Sequence, residues 1–235
     1  LRIDSPGGDA MTSEIILNTM RNLKGKKPVV VSMGNVAASG GYYIACLGDK
    51  IYADPTTITG SIGVFAAFPN IKGLAERIGV NAEQVNSNKN AMGYSLFEPL
   101  SEGFKNSTRS TIEKIYGTFK SRVAEGRSLD MEKVESLSQG RVWSGKEALE
   151  NGLVDALGGL EDAIYAASEI VDIEKFNVVD YPKHDDGFEQ MLLNALSFTR
   201  LKTFKHPIEK FTSDFMKLSK VEGIQARIPF LINIE

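Results

Sequence analysis

Ser39 lies in the run Gly34-Asn35-Val36-Ala37-Ala38-Ser39-Gly40-Gly41-Tyr42-Tyr43, directly after the apolar stretch Val29-Val30-Val31-Ser32-Met33. A serine at a strand-to-helix turn, flanked by alanine and glycine, offers a hydroxyl that a substrate backbone can approach closely. Acyl transfer at such a hydroxyl needs exposure, a base to take its proton, and donors to hold the oxyanion. Backbone N–H groups on a glycine turn donate without a Cβ in the way. Gly8, in Ser5-Pro6-Gly7-Gly8, and Gly40, immediately after Ser39, supply two such amides. A helix beginning near Ser39 adds its dipole at the same point.

The base is harder to find. The two histidines, His184 and His206, fall in the last quarter of the chain. Without an imidazole, the alternative is a lysine in a Ser-Lys arrangement, its pKa lowered by burial. Ser61, in Thr59-Gly60-Ser61, carries a hydroxyl suited to orienting such an amine. Lys89, in the polar stretch 87–99, is the one lysine the sequence puts near the crevice, whereas Lys24, Lys26 and Lys27 read as solvated surface. Each residue also has a plainer reading. Ser39 can serve close helix packing, Gly7-Gly8 a tight turn, Ser61 a strand end, and Lys89 a solvated loop.

These residues need elements to position them. Leu1 to Ile3 reads as a strand, Ser5-Pro6-Gly7-Gly8 as its exit turn, and 9–23 as a helix whose core face is Met11, Ile15, Ile16, Met20 and Leu23. Val29 to Met33 has the near-continuous apolar pattern of a buried parallel strand. Together they form a right-handed βαβ unit. The offset of 31 residues from Gly8 to Ser39 matches one such repeat of roughly 30. Loops at the carboxyl ends of parallel strands line the binding crevice, and both segments sit there.

The alternation continues with a helix at 42–47, a strand at 50–53, a glycine-punctuated segment at 59–65, a helix at 71–78 and a short strand at 83–86. Ser101 caps a long helix with core residues Phe104, Ile112, Ile115, Phe119 and Val123, ended by Gly126. Helices follow at 131–137, from Ser144 to Asn151-Gly152, and at 160–171, with a last strand at 176–181. The expectation is an α/β domain of repeated ββα or βαβ units over residues 1–182. Residues 183–235 form a C-terminal extension that packs or makes a subunit contact.

At 235 residues, 42% hydrophobic and a net charge of -3, the chain has a globular composition, and nothing in its charge asks for nucleic acid. Cys46, the single cysteine, reads as a core filler. No cluster has metal-ligand spacing. The glycine turns fit neither a phosphate loop nor a dinucleotide fingerprint, so no cofactor is expected. The opening Leu1-Arg2-Ile3 reads as mid-strand, which suggests a fragment lacking an upstream half.

Three segments, Ser5-Pro6-Gly7-Gly8, Ala37-Ala38-Ser39-Gly40-Gly41-Tyr42 and Thr59-Gly60-Ser61-Ile62-Gly63-Val64, together resemble the signal peptide peptidase A (protease IV) family in order and spacing. Gly140-Arg141-Val142-Trp143-Ser144-Gly145, Ala148 and Asn151-Gly152-Leu153-Val154-Asp155 extend the resemblance to about residues 1–172. It implies a Clp/crotonase-like α/β fold and a Ser-Lys endopeptidase degrading residual signal peptides. It also implies a closed homo-oligomer at the bacterial inner membrane, facing the periplasm or exterior. It assigns the nucleophile to Ser39, an oxyanion amide to Gly8 and the lysine-orienting hydroxyl to Ser61.

The sequence departs from short family members at the loop after residue 85, where Ala91 stands in place of the catalytic lysine and Lys89 comes two residues early. It resembles the carboxyl half of a long, two-copy member, whose amino half supplies the lysine. The substrate expected is an extended apolar peptide added as a strand beside Gly7-Gly8, with small or aliphatic side chains favoured by Ala37, Ala38 and Gly41. The rivals are a crotonase-like hydratase or thioesterase acting on a coenzyme A ester, and a catalytically incomplete assembly domain.

Overall fold

A computed structural model describes residues 1–88, 91, 93–182 and the backbone of 224–227. Chain contacts divide it into one unit of Leu1–Asp172 with Gly223–Glu235 and a second of Ile173–Glu222. The described part of the second unit, 173–182, is irregular, so the strand expected at 176–181 is not formed.

The first unit opens with β1 (Arg2–Ser5) and β2 (Gly7–Asp9), so the expected turn is a break at Pro6 between two short strands. Asp9 caps α1 (Ala10–Lys24), its carboxylate accepting from the Thr12 amide at 2.7 Å. The buried face of α1 is Ala10, Ser13, Leu17 and Met20, whereas Met11 and Ile15 are exposed. The correction has a steric cause. The stripe ends in small residues where α1 meets α2, and close approach there selects size over hydrophobicity.

The nine-residue β3 (Val30–Ala38) runs on past the expected Met33. It leads into α2 (Gly40–Ala45), then β4 (Lys50–Ala53), β5 (Ile58–Gly60) and β6 (Phe65–Ala66). Next come α3 (Lys72–Arg77), the 26-residue α4 (Glu102–Arg127) and α5 (Met131–Leu137). The unit continues through β7 (Val142–Ser144), α6 (Gly145–Glu150), β8 (Ala156–Leu157) and α7 (Leu160–Ile170), and closes with β9 (Ile224–Arg227). No strand forms at 83–86, and Val85 is 96% exposed.

Strand β3 organises the main sheet. It pairs in parallel with β1, with β4 through Val30–Ser32, and with β5 through Val36–Ala38. It therefore passes from one neighbour to the next along its length. β8 extends the sheet beyond β4, and β7 pairs antiparallel beyond β5. Val31, Met33, Ala37 and Ala38 are fully buried, as a strand covered on both faces requires. Two buried threonines fasten β5 to β3: Thr57 donates to the Gly34 carbonyl at 2.8 Å and Thr59 to that of Ala37 at 2.7 Å. The main core gathers Leu17, Met33, Tyr42, Ile51, Phe119 and Val123, and a smaller cluster packs Val30 and Tyr52 against Ala163 and Ala166. A second sheet has the order β2-β9-β6, antiparallel throughout.

Candidate active site

The backbone of Ser39 has φ 53° and ψ -116°, a conformation that costs a non-glycine residue about 1–3 kcal/mol. It arises where β3 stops and α2 starts one residue later, a strained turn from a strand into a helix. Neighbouring backbone holds it there. The Ser39 amide donates to the Gly60 carbonyl at 2.8 Å, and the Ser39 carbonyl accepts from the Tyr43 amide at 2.7 Å. Gly40 occupies the first helical position, where an N–H has no acceptor within its own helix.

The glycines explain how the segments meet. A Cβ on Gly41 would come 2.7 Å from the Ser5 carbonyl oxygen, so the first turn of α2 rests on the β1–β2 junction just before the strand that contains Gly8. A Cβ on Gly60, at φ 73°, would strike the Trp143 ring at 2.6 Å. The indole donates to the Leu137 carbonyl at 3.0 Å and so forms a wall behind Gly60-Ser61. Ser61 is itself buried at φ 49°, its amide donating to the Arg141 carbonyl at 2.7 Å. The fold thus brings together Ser39, Gly40, the segment carrying Gly8, and Ser61. Lys89 lies outside the described residues.

One expectation fails. A nucleophile should be exposed, yet Ser39 is fully buried, and its Oγ has no hydrogen-bond partner among the described residues. The elements flanking it, β2 and α2, are both in contact with β9.

Supporting groups stand on α2 just beyond Ser39, where the Gly40-Gly41-Tyr42-Tyr43 run held their signal. The Tyr42 hydroxyl donates to the Leu153 carbonyl at 2.9 Å, and burial pushes its pKa well up. The Tyr43 hydroxyl donates to Glu14 at 2.5 Å, and Arg122 meets the same carboxylate at 2.6 Å. These contacts tie α2 to α1 and α4. Cys46 is buried and its thiol is pushed by that burial up to about 12, which leaves it inert.

Among the described residues no group of three His, Cys, Asp or Glu side chains could hold a metal, and no helix is long and apolar enough to cross a membrane. A small hollow lined by Lys72, Ala75, Glu76, Val80 and Phe97 includes none of the site residues.

The described residues form an α/β unit with a strained, buried serine between glycine turns, and comparison with known proteins gives its family. Residues 21–174 match the model of peptidase family S49. Protease 4 of Haemophilus influenzae is 45% identical over 172 residues, which cover 73% of this chain and 28% of that protein. The putative protease slr0021 of Synechocystis is 38% identical over 187 residues, covering 78% of this chain and 68% of that one. Among solved structures, a ClpP1 mutant from Listeria monocytogenes aligns with a TM-score of 0.46 and 16% identity, over 69% of this chain and 74% of its own. The chain belongs to peptidase family S49, the family of signal peptide peptidase A. Its fold is the Clp/crotonase-like α/β fold of that family.

Proposed function

We propose that the chain is the serine-bearing part of a Ser-Lys endopeptidase. Ser39 attacks the scissile carbonyl and forms an acyl-enzyme. The amides of Gly8 and Gly40 hold the oxyanion, and Ser61 orients the amine that takes the serine proton. The observation that carries this reading is the strained turn at Ser39, held by the backbone of Gly60 while its Oγ is committed to no partner among the described residues. A merely structural serine in such a place would be expected to find a hydrogen bond.

The base comes from an upstream half-domain, with Lys89 as the internal alternative. The peptidase domain comprises residues 1–182 and the extension 183–235. The substrate is an extended apolar peptide such as a residual signal peptide, cleaved by a homo-oligomer at the bacterial inner membrane on its periplasmic or exterior side.

Hydrolysis of a small peptide ester tests the assignment. The chain alone should be near background, and it should gain activity when combined with the upstream half. Ser39→Ala should abolish that gain. Turnover by the chain alone that Lys89→Ala removes would make the lysine internal. Activity that survives Ser39→Ala would end the proposal.

A further inference from the structure

Two short strands border the candidate site, and both lean on the same third strand. β2 contains Gly7 and Gly8, and β6 follows Ser61 by a few residues. Among the described residues neither pairs with the other, and each pairs with β9 alone. Remove β9 and two strand edges face one another across a gap one strand wide, about 10 Å at the usual inter-strand spacing. Such paired edges receive an extended peptide by strand addition.

The register is informative. Gly8 stands opposite Ala226, with Gly7 opposite Arg227 and Asp9 opposite Gln225. On the other edge Phe65 faces Gln225 and Ala66 faces Ile224. A scissile carbonyl using the Gly8 amide would have to lie where Ala226 now stands. β9 also contacts α1 and α2, and the hydroxyl at the head of α2 is sealed. The ladder is short, with three residue pairs on one side and two on the other. At about 1 kcal/mol net per hydrogen bond, a competing peptide could displace it.

We infer that Ile224–Arg227 is the chain's own occupant of the substrate groove, an internal competitor that covers Ser39 until a peptide or a partner displaces it. The inference rests on the serine-peptidase reading for what the groove does. It goes beyond that reading in assigning the groove's resting occupant, and the Ala226 position marks where a substrate would present a small residue.

The test uses the full chain combined with the upstream half that supplies the base, and labelling of Ser39 is read in that mixture. In the double variant Ala66→Cys with Ile224→Cys, mild oxidation should link the two positions, which mass spectrometry of the joined peptides would detect. Linkage should reduce labelling of Ser39 by a fluorophosphonate at least tenfold, and a reductant should restore it. In Gln225→Pro, which removes an amide from the centre of the ladder, labelling should rise about tenfold. A fluorescent peptide of residues 223–229 should also bind that variant at least tenfold more tightly than the parent.

Failure of the cross-link to form would overturn the inference. So would labelling and peptide binding in both the linked chain and Gln225→Pro that stay within twofold of the parent. If the cross-link forms and the peptide binds Gln225→Pro tightly while Ser39 labels in no variant even with the upstream half present, the occupant stands and the catalytic reading falls.

Discussion

The body around α2 and the outer segment from Phe68 through α3 to the first turns of α4 are built by different means. Around α2, Tyr42, Phe119 and Val123 are wholly buried, and backbones touch through glycines: a Cβ on Gly126 would lie 2.1 Å from the Cys46 carbonyl oxygen. In the outer segment the main packing is a trio of half-buried rings. Phe68 meets Tyr94 and Phe104, each with centroids 5.3 Å apart, while Leu74 and Ile78 stay more than 60% exposed. The difference shows where strain can be stored. The backbone at Ser39 is unfavourable and persists only where its surroundings over-determine it. The tight body meets that condition, and the outer segment does not.

Phe119→Ala breaks or confirms the contrast most directly. It should cost about 3–5 kcal/mol, the range for emptying a buried aromatic site, whereas Phe68→Ala should cost only about 1 kcal/mol. Chemical denaturation of both variants measures the gap, and equal losses would mean that the outer segment is as tightly held as the core.

Two glycines on α4 sharpen the same comparison within one helix. At Gly126 an added methyl has no room, so Gly126→Ala should destabilise by about 1–3 kcal/mol and pry α4 from α2. At Gly117 no atom lies within 4 Å of the place a methyl would take, so Gly117→Ala should stabilise by about 0.5–1 kcal/mol through helix propensity. Opposite signs in thermal melts are the expected result; the same sign at both positions would remove the distinction.

The division between these regions also marks what could be read from the residues alone. The elbow at Ser39 was legible because glycines and alanines on either side of a serine leave few other uses for such a turn. The caps at Ser101 and Ser144 were legible because capping is local: each side chain accepts from an amide three residues on. Gly126 misled because a glycine late in a helix usually ends it. Here α4 runs on to Arg127, Ser128 takes the left-handed position at φ 52°, and the glycine serves a contact with residue 46. The face of α1 misled because Ala10 and Ser13 are buried for their size. Neither the wall Trp143 makes against Gly60 nor the pairing of Gly8 with Ala226 has a local signature, since both join residues far apart in the chain.

The smallest effect concerns the clamp that fastens α2 to α1 and α4. Burial pushes the Glu14 carboxyl up, but hydrogen bonds from Arg122 and Tyr43 outweigh it and hold the group below its ordinary 4.5. A lowered carboxylate pKa contributes stability that is complete above the unfolded value and fades as pH falls through the folded one. Tyr43 works in the opposite sense. Burial and the adjacent Glu14 raise its phenol above the ordinary 10.0, so the neutral hydroxyl's contribution is full below pH 10 and declines as pH rises beyond it. Melting temperature plotted against pH should therefore sag at both ends. Glu14→Gln should flatten the acid limb, by no more than about 1 kcal/mol for so accessible a pair. It should also shift the alkaline limb, because a neutral neighbour repels the phenolate less. An acid limb unchanged in Glu14→Gln would show that the clamp's charge does not help to hold the helix that carries Ser39.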